Sequence, residues 1–175
     1  MITWAQIVFL LKGTHKDFEV IEKNDTGTPL PAKIKTGDLL MRKVHASGVY
    51  HVGVYCGKFV IEFTAPEKPT LFDQITSFSS TSESGTVNMK SLKNFIINKP
   101  YRVLRLRVAI PVNFSVLTDK AMDYDEKYHP LANNCLHFAL KLLELGTRSL
   151  PRSLPKESAE EINMDDLEEC AALTQ

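Results

Sequence analysis

The chain has 175 residues and carries 21 basic and 21 acidic side chains, so its formal net charge is zero. That length fits one domain of ordinary size, able to bury enough surface to need no disulfide or metal staple, and the charge balance offers no basic stripe of the kind nucleic acid requires. Three cysteines, Cys56, Cys135 and Cys170, are too few and odd in number for a secreted disulfide framework. Reduced thiols, a cytoplasmic location and no metal or cofactor are therefore expected.

Thr3 to Lys12 reads as a short helix with Gly13 at its C-terminal end. Its apolar stretch is about half the ~20 residues needed to span a bilayer, and Lys12 follows it rather than preceding it, unlike a signal peptide. Packing on the domain is the plainer reading, with a membrane-surface role left open. Thr14 to Lys35 is polar and broken by Gly27, Pro29 and Pro31, which predicts mostly loop. Gly37-Asp38 then opens an apolar strand, Leu39-Leu40-Met41.

Val49 to Cys56 and Phe59 to Thr64 are rich in β-branched and aromatic residues around Gly57-Lys58, which predicts a β-hairpin ended by Pro66 and Pro69. Glu67 to Thr86 is irregular and rich in serine and threonine. Ser91 is positioned to cap a short helix, Leu92 to Asn98, ahead of Pro100. Tyr101 to Val108 alternates arginine with apolar residues, as a half-exposed strand does. Ser115 to Tyr128 reads as helical. Asn133-Asn134 are good N-cap residues for a largely buried helix running to Gly146. These elements define a catalytic-type domain over residues 1–146, with a motif-bearing core at 36–146. Residues 147–175 read as a linker and acidic tail.

Three residues carry chemistry. Cys135 falls in the first turn of the helix after Asn134. There the backbone N–H groups and the positive end of the helix dipole favour a thiolate and could stabilise an oxyanion. His51 supplies an imidazole able to accept and return a proton near neutrality. If Gly57-Lys58 is a two-residue turn, Cys56 pairs with Phe59 and Glu62 lies opposite Gly53. His51 and Glu62 then share a face as diagonal neighbours. A carboxylate inside the apolar run Phe59-Val60-Ile61-Glu62-Phe63 needs a partner if it is buried. Together these are a thiol nucleophile, a base and a group that orients the base. His137 is read as packing, and His15, His45 and His129 as weaker candidates.

These blocks resemble a known family. Gly37-Asp38-Leu39-Leu40, His51-Val52-Gly53-Val54-Tyr55-Cys56-Gly57, Val60-Ile61-Glu62-Phe63-Thr64-Ala65-Pro66 and Asn134-Cys135-Leu136-His137-Phe138 are similar to the lecithin–retinol acyltransferase (LRAT) domain. That family includes the HRAS-like suppressor phospholipase/acyltransferases, within the circularly permuted papain-like, NlpC-type enzymes. The resemblance implies an α+β fold with an antiparallel sheet packed on the nucleophile helix, and an acyl thioester formed on Cys135 from a phospholipid or other lipid ester. It leaves peripheral membrane contact open. Glu62 stands where the family usually has a second histidine, Val52 where it has tryptophan, and Leu136 where it has glutamate. The alternatives are a deSUMOylating-type cysteine isopeptidase or amidase, and a non-catalytic LRAT-like binding protein.

Overall fold

A computed structural model describes residues 4–44, 48–65, 84–108, 113–129 and 133–143. The elements follow as α1 (Trp4–Lys12), β1 (Phe18–Asn24), β2 (Leu39–Lys43), β3 (Tyr50–Tyr55), β4 (Phe59–Thr64), β5 (Thr86–Ser91), α2 (Leu92–Ile96), β6 (Tyr101–Leu106), α3 (Phe114–Met122) and α4 (Cys135–Leu142). The six strands form one sheet in the order β1-β6-β2-β3-β4-β5, and every pairing is antiparallel. The α+β class expected from the sequence is thus observed. The proposed linker and acidic tail, 147–175, lie outside the described residues, as does most of the Glu67–Thr86 stretch.

Two strands are not among the expected elements. Phe18–Asn24 was expected to be loop but is the edge strand β1, paired only with β6 and interrupted by a bulge between Val20 and Glu22. Its polar composition conceals it because only Phe18 is buried on that strand. The tethers that hold it are side chains from elsewhere: Glu22 accepts hydrogen bonds from the Ala32 and Lys33 amides at 3.1 and 3.2 Å and from the Tyr101 hydroxyl at 3.1 Å. The second is β5, at the opposite edge, whose residues are all half-buried or exposed.

The arginines of β6 explain its alternation. Arg105 grips Asp38 with Nε to Oδ1 and Nη2 to Oδ2, both 2.8 Å. Asp38 is only 2% exposed and also accepts from the Lys35 amide at 2.7 Å. The Gly37-Asp38 pair is therefore a structural clamp at the start of β2, a bidentate geometry that suits guanidinium to carboxylate. Arg102 donates to the Lys12 carbonyl at 2.7 Å and lies over the Tyr50 ring at 5.3 Å, tying the end of α1 to the sheet. Phe9 and Leu10 of α1 are buried in the core, so this helix packs on the domain.

The β3–β4 hairpin has the expected register. Gly57 takes φ 95°, a conformation open to glycine, and the Cys56 amide donates to the Phe59 carbonyl at 2.9 Å. Gly53 faces Glu62, Val54 faces Ile61 and Tyr55 faces Val60. A Cβ on Gly53 would sit 2.5 Å from Val60 Cγ1 and 2.9 Å from Phe95 Cε2, so glycine is what lets α2 press its Phe95 ring against this strand. Ser91 caps α2 as expected, its hydroxyl accepting from the Asn94 amide at 3.2 Å.

Candidate active site

Residues on β4 alternate between two tasks. Phe63 joins an aromatic group with Phe138 of α4 (5.4 Å between centroids), Tyr124 (5.1 Å) and Tyr128 (5.3 Å), which seats α4 on the sheet. Its neighbour Glu62 is fully buried and turns to the opposite face, where Oε2 lies 2.8 Å from His51 Nε2. The β3–β4 ladder ends at Gly53 and Glu62, so His51 lies just beyond its last rung. There Cys135, at the first position of α4, is near enough to the ring to raise its pKa. With Nε2 held by the carboxylate, Nδ1 is the ring nitrogen left for the sulfur side. The structure thus brings together the three residues singled out by sequence, Cys135, His51 and Glu62. Cys135 is a free thiol, fully buried, and His51 is 3% exposed.

Two groups absent from the sequence reading complete the cluster. Lys90 of β5 faces Val60, while Asn88 faces Glu62; Lys90 is therefore Glu62's diagonal neighbour, as His51 is from the other side. Its Nζ lies 2.5 Å from Glu62 Oε1. One carboxylate oxygen thus serves the imidazole and the other the ammonium. Arg42 of β2 lies directly opposite His51, with its Cζ 5.4 Å from the centre of the Phe95 ring, on which His51 also stacks at 5.6 Å. Across four adjacent strands this gives a row of Arg42, His51, Glu62 and Lys90. No local pattern marks Lys90 or Arg42, since each meets the cluster only through strand register.

The electrostatics follow from this row. Burial opposes charge on His51, but Cys135 and Glu62 outweigh it and hold the imidazole pKa above its usual 6.5. Burial likewise opposes ionisation of Glu62, yet His51 and Lys90 together pull its pKa down to about 2. Burial, reinforced by Cys135, pushes the Tyr128 hydroxyl well above its usual range. Among the described residues no group of histidine, cysteine, aspartate or glutamate side chains is arranged to hold a metal ion.

The start of α4 corrects one expectation. Asn134 Oδ1 accepts from the Leu136 and His137 amides at 3.0 and 3.3 Å, and His137 Nδ1 accepts from the Asn134 amide at 3.4 Å, completing a capping box. The Leu136 and His137 N–H groups of the first turn are thereby used by the cap and are not unpaired. His137 is the N3 member of the box, its Nδ1 also 2.9 Å from Asn134 Oδ1, and burial pulls its pKa down to about 4. Asn134→Ala is expected to cost about 1 kcal/mol and to lower the melting temperature by roughly 2–4 °C. Thermal unfolding followed by circular dichroism checks this.

The family model for lecithin retinol acyltransferase matches residues 32–147, more than half of the chain, and spans every residue of this cluster. The protein belongs to the lecithin retinol acyltransferase family. Members of that family are cysteine-dependent acyltransferases acting on lipid esters. No individual curated protein matches the chain significantly. Among the described residues no helix is long and apolar enough to cross a membrane.

Proposed function

We propose that the protein is a thiol acyl-transfer enzyme of phospholipase A/acyltransferase type, with Cys135 as nucleophile, His51 as general base and acid, and Glu62 as the residue that orients His51. The observation that carries this reading is the His51 Nε2–Glu62 Oε2 pair at 2.8 Å, set where the Cys135 sulfur acts on the ring. An imidazole beside a thiol and fixed by a buried carboxylate has the parts that acyl transfer needs. The papain-like, circularly permuted arrangement of the family accounts for the order of base before nucleophile in this chain.

In the first half-reaction His51 takes the thiol proton and the sulfur attacks the ester carbonyl. The carbonyl π electrons move onto oxygen, which the Cys135 N–H receives. Collapse re-forms the carbonyl and breaks its bond to the alkoxy oxygen. That leaving group takes the proton from His51, giving an acyl thioester and a free alcohol. In the second half-reaction His51 removes a proton from water, an alcohol or an amine as it attacks the thioester; the carbonyl re-forms, the C–S bond breaks, the acylated product leaves, and the sulfur takes the proton back from His51. Glu62 stabilises the imidazolium that appears in each half.

Lys90 sets how strongly Glu62 does this. Lys90→Met removes a cation from the pair and leaves the carboxylate to His51 alone, so the imidazolium holds its proton more tightly. The alkaline limb of the pH–rate profile, where the leaving group loses its acid, is expected to move to higher pH, with Lys90→Arg restoring it. A limb that stays in place in the methionine variant contradicts the role given to the Lys90–Glu62 pair.

The substrate class is tested by offering the protein a labelled phospholipid in mixed micelles and, in parallel, a peptide isopeptide amide. Release or transfer of the acyl chain from the lipid supports this reading. Cleavage of the amide alone would make it an isopeptidase, and turnover of neither would leave the cluster as a binding site.

A further inference from the structure

Arg42 differs from the other arginines of the described residues. Arg102, Arg105 and Arg107 each donate to a carbonyl or carboxylate at 2.7–3.0 Å. The Arg42 side chain makes no hydrogen bond or ion pair among them, and its Nε, like that of Arg102, is buried without a partner. What the side chain lies against is the Phe95 face, 5.4 Å from its centre, which satisfies none of its donors. A buried polar group without a partner is costly, and a guanidinium offers five donors in a planar fork. The expense persists here in the half-buried space beside the thiol, within the electrostatic reach of both Glu62 and Cys135.

Neither Glu62 nor Cys135 takes the fork. Glu62 Oε2 pairs with His51, Glu62 Oε1 lies 2.5 Å from the Lys90 ammonium, and no hydrogen bond or ion pair joins Arg42 to either residue. Arg42 therefore brings to the site a fixed cation with unused donors, on the strand next to the base and directly opposite it. The complementary group is a planar or tetrahedral oxyanion able to take two parallel N–H bonds, carried close to the carbonyl under attack. In a glycerophospholipid the phosphodiester stands a few bonds from each acyl ester. A neutral glyceride or a simple ester has nothing there.

We propose that Arg42 is the specificity-determining residue of the acyl donor site, pairing with the phosphodiester of a glycerophospholipid while Cys135 attacks its ester. This rests on the acyl-transfer reading above and names the group that selects the donor. It also accounts for the surplus of positive charge in the row, where two fixed cations and an imidazole face one carboxylate.

The test compares two donors of equal chain length, phosphatidylcholine and diacylglycerol, in the same detergent micelles, with acylation of Cys135 followed by intact mass. In Arg42→Gln the loss of kcat/KM on phosphatidylcholine is expected to exceed the loss on diacylglycerol by about 10–100-fold, the range for a hydrogen bond to a charged group. Arg42→Lys, which keeps the charge without the fork, should fall between. Equal losses on the two donors, or no loss on either, overturn the assignment while leaving the acyl-transfer reading intact. If neither donor acylates the parent protein, that reading fails first. Binding then decides about Arg42: a non-hydrolysable diether phosphatidylcholine should bind Cys135→Ala at least tenfold more tightly than Cys135→Ala/Arg42→Gln. Equal binding would overturn it.

Discussion

Cys135→Ala is expected to lower acyl transfer on the order of a millionfold, and His51→Ala nearly as far, with the double variant no worse than either alone. The reason is that the sulfur and the imidazole act as one unit: without the base the thiol is rarely attacking, and without the sulfur the base has nothing to deprotonate. Additive losses would mean that the two residues act separately and would contradict the coupling between them. The measurement is kcat on a labelled lipid ester, with folding checked by circular dichroism. Cys135 is itself one of the buried residues of the core, so the folding check accompanies each activity measurement.

Glu62→Gln carries the second largest effect, because it strikes chemistry and stability together. The amide keeps the shape of the carboxylate but cannot stabilise an imidazolium, and the expected loss in kcat is about 10²–10⁴-fold. Without the anion the His51 pKa falls, so the alkaline limb of the rate profile should move down, opposite to the shift expected for Lys90→Met. Stability should drop by about 1.5–3 kcal/mol, the range for hydrogen bonds to charged groups.

The pH dependence of stability has a definite sign. The Glu62 pKa is depressed from 4.5 to about 2, so its contribution is complete above the ordinary value and is lost as pH falls from there toward about 2. The His51 pKa is raised above 6.5, so its contribution is complete below that value and is lost as pH rises through the folded one. Melting temperature against pH in Glu62→Gln should flatten on both sides. A profile unchanged from the parent would show that the carboxylate is not ionised and paired as described.

The sequence makes some of this site legible and hides the rest for physical reasons. Gly57-Lys58 sets the parity of the hairpin, and that alone places Glu62 opposite Gly53 and on the face of His51. Asn134 marks the start of α4 and puts Cys135 in its first turn. Both signals are local. Lys90 and Arg42 enter the cluster through β5 and β2, where what matters is the register against a neighbouring strand. The strand β1 is hidden because an edge strand held by β6 and by Glu22 needs no apolar alternation of its own. The free amides expected at the start of α4 were misread because Asn134 both begins the helix and consumes two of them.

Incubation of the full chain with an acyl donor at short times, followed by acid quench and intact mass, looks for a covalent intermediate. One added acyl group, located on Cys135, released by neutral hydroxylamine and missing in Cys135→Ala, is the predicted result. A chain that turns over the donor with its acyl adduct on another residue, or whose Cys135→Ala variant keeps full activity, would show that this sulfur is not the group that carries the acyl chain.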